Sequence, residues 1–280
     1  MMEDQQKILD KYYKLLHELR TLESALIAFS GGVDSSFLVV AVQESGIPYL
    51  AVTARSPTMP AHDLEDVKAL IQDMKINHRF IESNSMNDAD FVKNSFDRCF
   101  FCKSDLFKEL NALARQEGYA VVLDGSTTDD LDDYRPGLKA KLQYKVVSPI
   151  MNAGLSKSDI RWLSRNKGIK TWNKPASPCL SSRITYGEPI LVDSLRMVAD
   201  AEEKLRKMGF VTLRVRKQGN TARIELPDAD MPRFLDADVR QQVVTELTRA
   251  GFKYVSLDLE GFQSGKLNRV IPVAAPRKPE

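Results

Sequence analysis

The chain has 280 residues, of which 43% are hydrophobic and 28% are charged, so it can bury a core in one large domain or two modest ones. Forty Lys and Arg residues against 38 Asp and Glu residues leave a formal net charge of +2, which argues against a global attraction to nucleic acid or an anionic membrane. The beginning of the chain lacks the pattern of a secretory signal, and the longest apolar run, at residues 37–42, is short. We therefore expect a soluble, cytoplasmic protein with no nucleic-acid and no membrane partner.

Strands and helices are predicted to alternate along the first part of the chain. Apolar residues with helical spacing over residues 4–20 are followed by a buried-strand pattern at 25–29 and by a glycine turn that opens a second helix. The next predicted elements are a strand at 49–53, a helix at 60–74, a strand at 77–81, a helix at 103–117 and a strand at 120–123. This alternation indicates an α/β fold with a doubly wound parallel sheet, whose ligands bind at the carboxyl ends of the strands.

A second, smaller α+β domain is predicted after a Gly- and Pro-containing break at residues 186–189. Its predicted elements are a helix ending at residue 208, strands at 211–216 and 221–226, a helix at 238–250 and a strand at 254–257. We place the first domain at residues 1–185 and the second at 186–280. Residues 273–280 are expected to be unstructured.

A glycine-rich loop lies directly after the first predicted strand and directly before the second helix. Its sequence is Ser30-Gly31-Gly32-Val33-Asp34-Ser35-Ser36. Two glycines let the backbone approach an anion, the serines add hydroxyl donors, and the following helix supplies its positive end. The loop suits a phosphate or pyrophosphate, although it lacks the Gly-Lys-Ser/Thr of a Walker loop.

The carboxylate in the middle of this loop indicates a metal. Asp34 would repel phosphate unless a divalent cation lay between them, so we expect it to bind Mg²⁺. Asp124 and Gly125 follow the strand at 120–123 and are the other candidate residues of the nucleotide site. The alternative is a plain Gly-Gly turn capped by Ser or Asp.

Residues 30–35 resemble the SGGxDS signature of the PP-loop ATP pyrophosphatases, which share an adenine-nucleotide-hydrolase-like fold. The resemblance implies that an oxygen nucleophile attacks the α-phosphate of ATP, that pyrophosphate leaves, and that a second nucleophile traps the adenylate. The loop would hold the leaving pyrophosphate.

Three cysteines are too few, and odd in number, to build a disulfide framework. Cys99 and Cys102 form a C-x-x-C unit at the entry to a predicted helix, while Cys179 follows Pro178 in a predicted loop near the carboxyl edge of the sheet. Three thiolates suit a [4Fe–4S] cluster with one open iron that could bind hydrosulfide.

Other interpretations of the cysteines remain open. A zinc site would need a fourth ligand, and the only histidines, His17, His62 and His78, lie on other predicted elements. A redox pair, or three buried and unconnected cysteines, would also fit the pattern.

Six further stretches carry a closer resemblance that covers nearly the whole chain. They are residues 98–103 (RCFFCK), 123–126 (LDGS), 133–138 (DYRPGL), 173–183 (NKPASPCLSSR), 214–216 (RVR) and 222–227 (ARIELP). With the loop, they resemble the LarE family, the ATP-dependent sulfur transferases of nickel-pincer nucleotide synthesis that serve lactate racemase maturation.

The LarE resemblance implies adenylation of the carboxylates of pyridinium-3,5-biscarboxylic acid mononucleotide and their conversion to thiocarboxylates. Some members sacrifice the sulfur of one cysteine and keep dehydroalanine, whereas members with three cysteines hold a [4Fe–4S] cluster that passes on sulfide from a sulfur donor. Pro178 occupies the place of the sacrificial cysteine, and Cys179 follows one step later. The cluster route with Cys99, Cys102 and Cys179 is therefore favoured, with sacrifice of Cys179 as the alternative; the resemblance also suggests a homo-oligomer.

The resemblance also implies a set of substrate-binding residues in the second part of the chain. They are Ser182, Arg183, Glu202, Arg214, Arg216 and Glu225. Guanidinium groups suit an anionic mononucleotide, and two arginines that alternate on one strand can point to one site. A solvated basic strand and surface ion pairs are the alternatives.

Two other functions compete with this interpretation. A PP-loop tRNA thiolase would also combine the loop with three cysteines, but it would need a basic RNA-binding face, and the sequence has neither a zinc ribbon nor a charge excess. A non-catalytic ATP-binding module would need no metal-binding Asp34.

Overall fold

A parallel sheet of four short strands organises the first part of the chain. The structure, a computed structural model, describes residues 2–130, 137–263 and 265–271. The strands are β1 (Ala25–Ala28), β2 (Tyr49–Arg55), β3 (His78–Glu82) and β4 (Val121–Leu123), in the order β3-β2-β1-β4. All pairings are parallel, as expected for strands separated by helices.

Helices cover both faces of this sheet. The helices of this part of the chain are α1 (Met2–Arg20), α2 (Val33–Ser45), α3 (Ala61–Asp73), α4 (Ala89–Val92), α5 (Arg98–Glu117), α6 (Gly137–Gln143), α7 (Pro149–Asn152) and α8 (Lys157–Asn166). Ile27 of β1 packs into a cluster with Phe37 of α2, whereas its neighbour Leu26 packs with Phe107 of α5 and Ala140 of α6. Because neighbouring strand residues point to opposite faces, both faces are buried, and the predicted doubly wound sheet is confirmed.

A three-stranded mixed sheet organises the second part of the chain. The elements are α9 (Val192–Lys207), β5 (Arg214–Gln218), β6 (Thr221–Glu225), α10 (Met231–Phe234), α11 (Ala237–Arg249) and β7 (Tyr254–Leu257). β5 and β6 are antiparallel across a turn in which Gly219 has a φ of 55°, and β7 pairs with β6 in parallel. Leu205, Phe210 and Val215 are fully buried in this part.

The chain divides into two compact units, and the division is not a single cut. The first unit is Met1–Phe91 with Asp97–Pro178, and the second is Val92–Phe96 with Cys179–Glu280. Asn94 is fully buried with a φ of 57°, and its Nδ2 donates to the carbonyl oxygens of Thr185 and Glu188 at 2.8 Å each. These bonds join the segment 92–96 to the second unit, whereas the sequence had placed one boundary after residue 185.

Some element boundaries differ from the sequence prediction. β5 starts at Arg214 rather than at residue 211, because its register is set by pairing Arg214 with Glu225 and Gln218 with Thr221. α5 begins at Arg98, before the predicted residue 103, and α6, α7 and α8 were not predicted. The predicted tail at 273–280 and residues 133–136 of the DYRPGL stretch lie outside the described residues. Among the residues that are described, no helix is long and apolar enough to cross a membrane.

Candidate functional site

The glycine-rich loop connects β1 to the first turn of α2 and folds back onto that turn. Gly31 has a φ of 69°, a conformation that costs a side-chain-bearing residue about 1 kcal/mol, and Gly32 is the N-cap of α2. The Oγ atoms of Ser30 and Ser35 lie 3.1 Å apart, and the backbone N–H of Ser30 donates to Ser35 Oγ at 3.3 Å. Ser36 is fully buried. The loop therefore leads into the positive end of a thirteen-residue helix, and Ser30 contacts the first turn of that helix.

The turn after β4 packs directly against this loop. A Cβ added to Gly125 would lie 3.0 Å from the backbone nitrogen of Ser35 and 3.1 Å from the carbonyl carbon of Asp34. Since backbone atoms cannot move aside cheaply, only glycine allows this approach. The structure thus brings Gly125 next to the loop residues that the sequence singled out.

The carboxylate of Asp34 lies in a partly desolvated position among other charges. Burial is the main reason why the pKa of Asp34 is raised to about 6. Asp130, in the 3-10 helix Thr128–Asp130, raises it further, while Lys157 and Arg161 of α8 lower it. A divalent cation would relieve the cost of this carboxylate, so the site fits Mg²⁺. Sequence reasoning missed these neighbours, although the acidic pair Asp129-Asp130 shortly after a strand end was a usable signal.

The carboxylate of Asp124 is buried and accepts hydrogen bonds from neighbouring protein groups. It is 7% exposed, and its oxygens accept hydrogen bonds from the backbone and hydroxyl groups of Ser126 at 3.3 and 2.7 Å and from Ser148 Oγ at 2.5 Å. Lys141 Nζ lies 3.5 Å from Asp124 Oδ2. Asp124 therefore shapes the turn that contains Gly125. Sequence reasoning missed Lys141 and Ser148.

The segment that precedes Cys179 is attached to α3 and to the loop. Lys174 Nζ lies 2.8 Å from Asp66 Oδ2, 3.4 Å from Asp63 Oδ1 and 3.5 Å from the carbonyl oxygen of Gly31. Ser177 Oγ donates to Asp63 Oδ2 at 2.6 Å. These contacts place residues 174 and 177 of the 173–183 stretch beside α3 and the glycine-rich loop, which local sequence patterns do not show.

The three cysteines belong to different units. Cys99 and Cys102 lie one turn apart at the start of α5, in the first unit, and Cys179 begins the second unit as the residue before the 3-10 helix Leu180–Arg183. None of the three forms a disulfide, and both Cys99 and Cys179 are exposed. Within either unit taken alone, the described residues bring no three His, Cys, Asp or Glu side chains together as a metal centre. Three exposed or half-exposed thiols are a suitable donor set for an iron–sulfur cluster, and the shared cluster remains a prediction.

Arg183 and Glu202 form a fully buried, two-pronged ion pair. Both residues are 1% exposed, and Arg183 Nε and Nη2 donate to the Glu202 carboxylate at 2.9 and 3.2 Å. Burial alone would raise the pKa of Glu202, but Arg183 and the backbone N–H of Val215 hold it below its usual range. Arg183 Nη1 also donates to the carbonyl oxygen of Cys179 at 3.2 Å and to Ser182 Oγ at 3.0 Å. Arg183 thus fixes the turn that carries Cys179.

Arg216 is the second paired guanidinium, and Arg214 lies beside it. Arg216 is 6% exposed and donates to Glu225 Oε2 at 2.7 Å and to the carbonyl oxygen of Ser182 at 2.8 Å. Arg214 is only half-buried, over the ring of Phe262, and burial together with Arg183 lowers its pKa to about 10. Glu202 and Glu225 are buried at 1% and 0%, so neither forms a surface ion pair. Arg214 and Ser182 keep surface that a ligand can reach.

The approach of α3 to the loop gives a first testable prediction. A Cβ on Gly31 would lie 2.5 Å from Val67 Cγ2, so Gly31→Ala is expected to displace the loop and weaken Mg-ATP binding at least tenfold, a loss of about 1.4 kcal/mol. Gly46→Ala is the matched control, since Gly46 has a φ of 80° with nothing near its Cβ. Calorimetric titration with Mg-ATP measures both. Adding Val67→Ala should restore part of the affinity, and an equal effect of the two glycine variants would contradict the prediction.

Together, the four-stranded parallel sheet and the SGGxDS loop at the start of α2 define an α/β protein of the PP-loop type. No family model matches the chain. The chain is 36% identical over 262 residues to the pyridinium-3,5-bisthiocarboxylic acid mononucleotide synthase of Lactiplantibacillus plantarum, which covers 93% of this chain and 94% of that protein. The chain belongs to the LarE family of sulfurtransferases.

Two other relatives extend over a similar length. An uncharacterized protein of Synechocystis sp. is 44% identical over 251 residues, covering 89% of this chain and 94% of the relative. An uncharacterized protein of Methanocaldococcus jannaschii is 28% identical over 259 residues, covering 91% and 98%. The likeness therefore includes both units of the chain.

Proposed function

We propose that this enzyme uses ATP to adenylate the carboxylates of pyridinium-3,5-biscarboxylic acid mononucleotide and then converts them to thiocarboxylates. The observation that carries the proposal is the loop from residue 30 to 36, which forms the N-terminus of α2 and has Gly125 packed against it, in a LarE-family chain. The named relative makes the bisthiocarboxylic acid mononucleotide, which is the product of this reaction.

Adenylation is a substitution at phosphorus. A carboxylate oxygen of the substrate bonds to the α-phosphorus of ATP, and the bond to the β-phosphate oxygen breaks, so that pyrophosphate leaves with the electron pair. The N–H groups at the start of α2 and the hydroxyls of Ser30 and Ser35 would bind the leaving pyrophosphate. Asp34 would hold Mg²⁺, which neutralises charge that develops on the phosphates.

Sulfur transfer is then a substitution at carbon. Hydrosulfide attacks the carbonyl carbon of the acyl adenylate, AMP leaves, and the thiocarboxylate forms without any change in oxidation state. Cys99, Cys102 and Cys179 would hold a [4Fe–4S] cluster, which would carry the added sulfide. Sacrifice of the Cys179 sulfur is the alternative route.

Isotope exchange between pyrophosphate and ATP tests the proposal. We expect exchange to depend on the pyridinium dicarboxylate nucleotide and on Mg²⁺, because only the acyl adenylate step is reversible by pyrophosphate. Exchange stimulated by tRNA instead would support an RNA thiolase. Saturable ATP binding with no exchange under any of these conditions would support a binding module.

Arg214 gives a prediction for the substrate site in the second unit. Its guanidinium keeps exposed surface, whereas Arg183 and Arg216 are 1% and 6% exposed and pair with buried carboxylates. Arg214→Ala is expected to weaken binding of the anionic nucleotide by about 10- to 100-fold, the range for a lost charge-assisted contact. ATP binding should change less than twofold, since a different unit supplies the phosphate loop.

The control for this prediction is Arg196→Ala, which removes an exposed arginine of α9 in the same unit. It should change neither affinity. Arg214→Lys should recover only part of the binding, because an ammonium cannot make two parallel hydrogen bonds to a carboxylate. Equal losses of ATP and nucleotide affinity in Arg214→Ala would show that the second site is misplaced.

A further inference from the structure

A buried lysine lies beside the phosphate loop and outside every motif that identified the site. Lys141 of α6 is 5% exposed, and its ammonium donates to Ser148 Oγ at 2.8 Å. Ser148 Oγ in turn donates to Asp124 Oδ1 at 2.5 Å, and Lys141 Nζ lies 3.5 Å from Asp124 Oδ2. Lysine is among the residues least often fully buried, because removing an ammonium from water is costly even when it is paired.

Stability alone does not account for this pair. Buried ion pairs can often be replaced by apolar residues of similar volume without loss of stability. Burial in α6 does not by itself require a charge, since the neighbouring Ala140 is fully buried in the core cluster around Phe107. A charged residue at position 141 therefore points to a role of the charge itself.

Backbone hydrogen bonds between β4 and the segment after α6 position this pair near the loop. After α6 the chain runs beside β4, where Val147 N donates to Val122 O and Asp124 N donates to Val147 O, each at 3.0 Å. This short pairing places Ser148 next to Asp124. Asp124 then holds both the N–H and the hydroxyl of Ser126, which fixes the turn on either side of Gly125.

We propose that Lys141 is a positioning residue for adenylation: through Asp124 and Ser148 it holds the Gly125–Ser126 turn against the first turn of α2. This inference rests on the proposed function for its kinetic consequence, but the structural consequence stands without it. A Cβ added to Gly125 would lie only 3.0 Å from the Ser35 nitrogen, so a small displacement of the turn would also move the first turn of α2, where the proposed function places the leaving pyrophosphate.

Because Lys141 can lose its charge, the proposal predicts that the reaction depends on pH. Burial lowers the pKa of Lys141, while Asp124 and Asp130 oppose the shift and Lys103 of α5 adds to it. Ser148 is its uncharged partner. The side chain therefore loses its proton at a lower pH than an ordinary lysine. An arginine at this position would stay charged throughout the same range.

The test compares three variants. Lys141→Met removes the charge and keeps a similar length, Lys141→Arg keeps the charge, and Lys139→Met is the matched control at an exposed position of the same helix. The first readout is amide hydrogen exchange of the peptide that contains residues 124–126, measured without substrate. We expect at least tenfold faster exchange there in Lys141→Met, and wild-type exchange in Lys139→Met and at β1 in every variant.

The second readout is pyrophosphate–ATP exchange. Lys141→Met is expected to lower kcat about 100-fold while KM for ATP changes less than threefold, because the phosphate loop itself is intact. The wild type should lose kcat as pH rises, and Lys141→Arg should shift this alkaline limb to higher pH. Wild-type kcat in Lys141→Met, or an equal loss in Lys139→Met, overturns the proposal.

The two readouts separate failure of this inference from failure of the proposed function. If the wild type shows no pyrophosphate exchange with the pyridinium nucleotide, the proposed reaction is wrong. The role of Lys141 is then still decided by two measurements, amide hydrogen exchange at residues 124–126 and the affinity for Mg-ATP. Should Lys141→Met fail to fold, Ser148→Ala removes the hydroxyl between the two charges and leaves both in place. Unchanged exchange at residues 124–126 in Ser148→Ala then contradicts the inference.

Discussion

Asp34→Ala is expected to abolish pyrophosphate release while leaving the fold intact. The change removes the carboxylate that would hold Mg²⁺ at the centre of the loop, and it removes no volume from the hydrophobic core, since Asp34 is only half-buried. Loss of a metal from a phosphoryl-transfer site removes several kcal/mol of transition-state stabilisation, so the rate should fall by at least about 1000-fold. Release of labelled pyrophosphate, with circular dichroism as the check on folding, measures the effect. Pyrophosphate release at the wild-type rate in Asp34→Ala would contradict the assignment of this loop as the site of pyrophosphate and Mg²⁺.

A second prediction concerns the stability of the metal-free protein, measured in EDTA. Removing the Asp34 charge is expected to increase stability, although it abolishes activity. Burial raises the pKa of Asp34 to about 6, so its ionised form is less stable in the folded chain than in the unfolded chain. The destabilisation is absent below the unfolded pKa of about 4 and complete above about 6. At pH 8, Asp34→Asn is therefore expected to raise the free energy of unfolding by roughly 3 kcal/mol, at about 1.4 kcal/mol per unit of pKa.

The control for the stability measurement is Asp10→Asn, which changes an exposed carboxylate of α1. Its effect should stay within about 0.5 kcal/mol. Well below the unfolded pKa, at about pH 3, the difference between Asp34→Asn and the wild type should vanish. A variant that is more stable and yet inactive identifies Asp34 as a functional rather than a structural residue, whereas a destabilised variant would show that its carboxylate supports the fold.

Cys99→Ala, Cys102→Ala and Cys179→Ala are each expected to lose bound iron and all sulfur transfer together. If the three thiolates ligate one cluster, any two of them rarely hold it. Pyrophosphate exchange should survive in all three variants, since the phosphate loop carries no cysteine, and it serves as the internal control. Iron and sulfide are counted in anaerobically purified protein. Iron retained by any one of the variants would contradict the shared cluster.

The sacrificial route predicts a different pattern. In that case Cys99→Ala should retain one turnover, and the wild type should lose about 34 Da as the thiol of Cys179 leaves as hydrogen sulfide and dehydroalanine forms. Neither Ser181, whose Oγ lies 2.8 Å from Cys179 Sγ, nor any other residue should change in mass. Multiple turnovers with added sulfide and unchanged protein mass support the cluster route.

Much of the fold could be predicted from the sequence because its signals are local. Burial on both faces makes β1 and the middle of β2 short, mostly apolar runs, and the glycine turn between β1 and α2 requires a positive φ that Gly31 supplies. β7 was predicted with its observed bounds, Tyr254–Leu257. The stretch from residue 137 to 166 was not assigned, because α6, α7 and α8 are short or polar and draw their stability from packing rather than from their own pattern.

Some features of the candidate site could likewise be predicted from local sequence, and others could not. The identities of the phosphate-loop residues and of Cys99, Cys102 and Cys179 follow from motifs whose chemistry depends on residue type and spacing. Which arginines keep exposed surface does not follow from motifs, since Arg183 and Arg214 carry the same group, yet Arg183 is buried against Glu202 at 2.9 Å and Arg214 is only half-buried. Such a contact spans 19 residues of sequence and leaves no periodic trace.

The sequence by itself determined the parallel α/β architecture, the glycine-rich loop before α2 and the family, because each depends on residues that are neighbours along the chain. Only the tertiary structure decided that segment 92–96 joins the second unit, that Asp124 faces Lys141 and Ser148, and that Glu202 and Glu225 are buried. The physical reason is that residues far apart in the sequence come into contact only when the chain folds. How strongly a buried charge or ion pair stabilises the protein then depends on how far the complete fold excludes water from it.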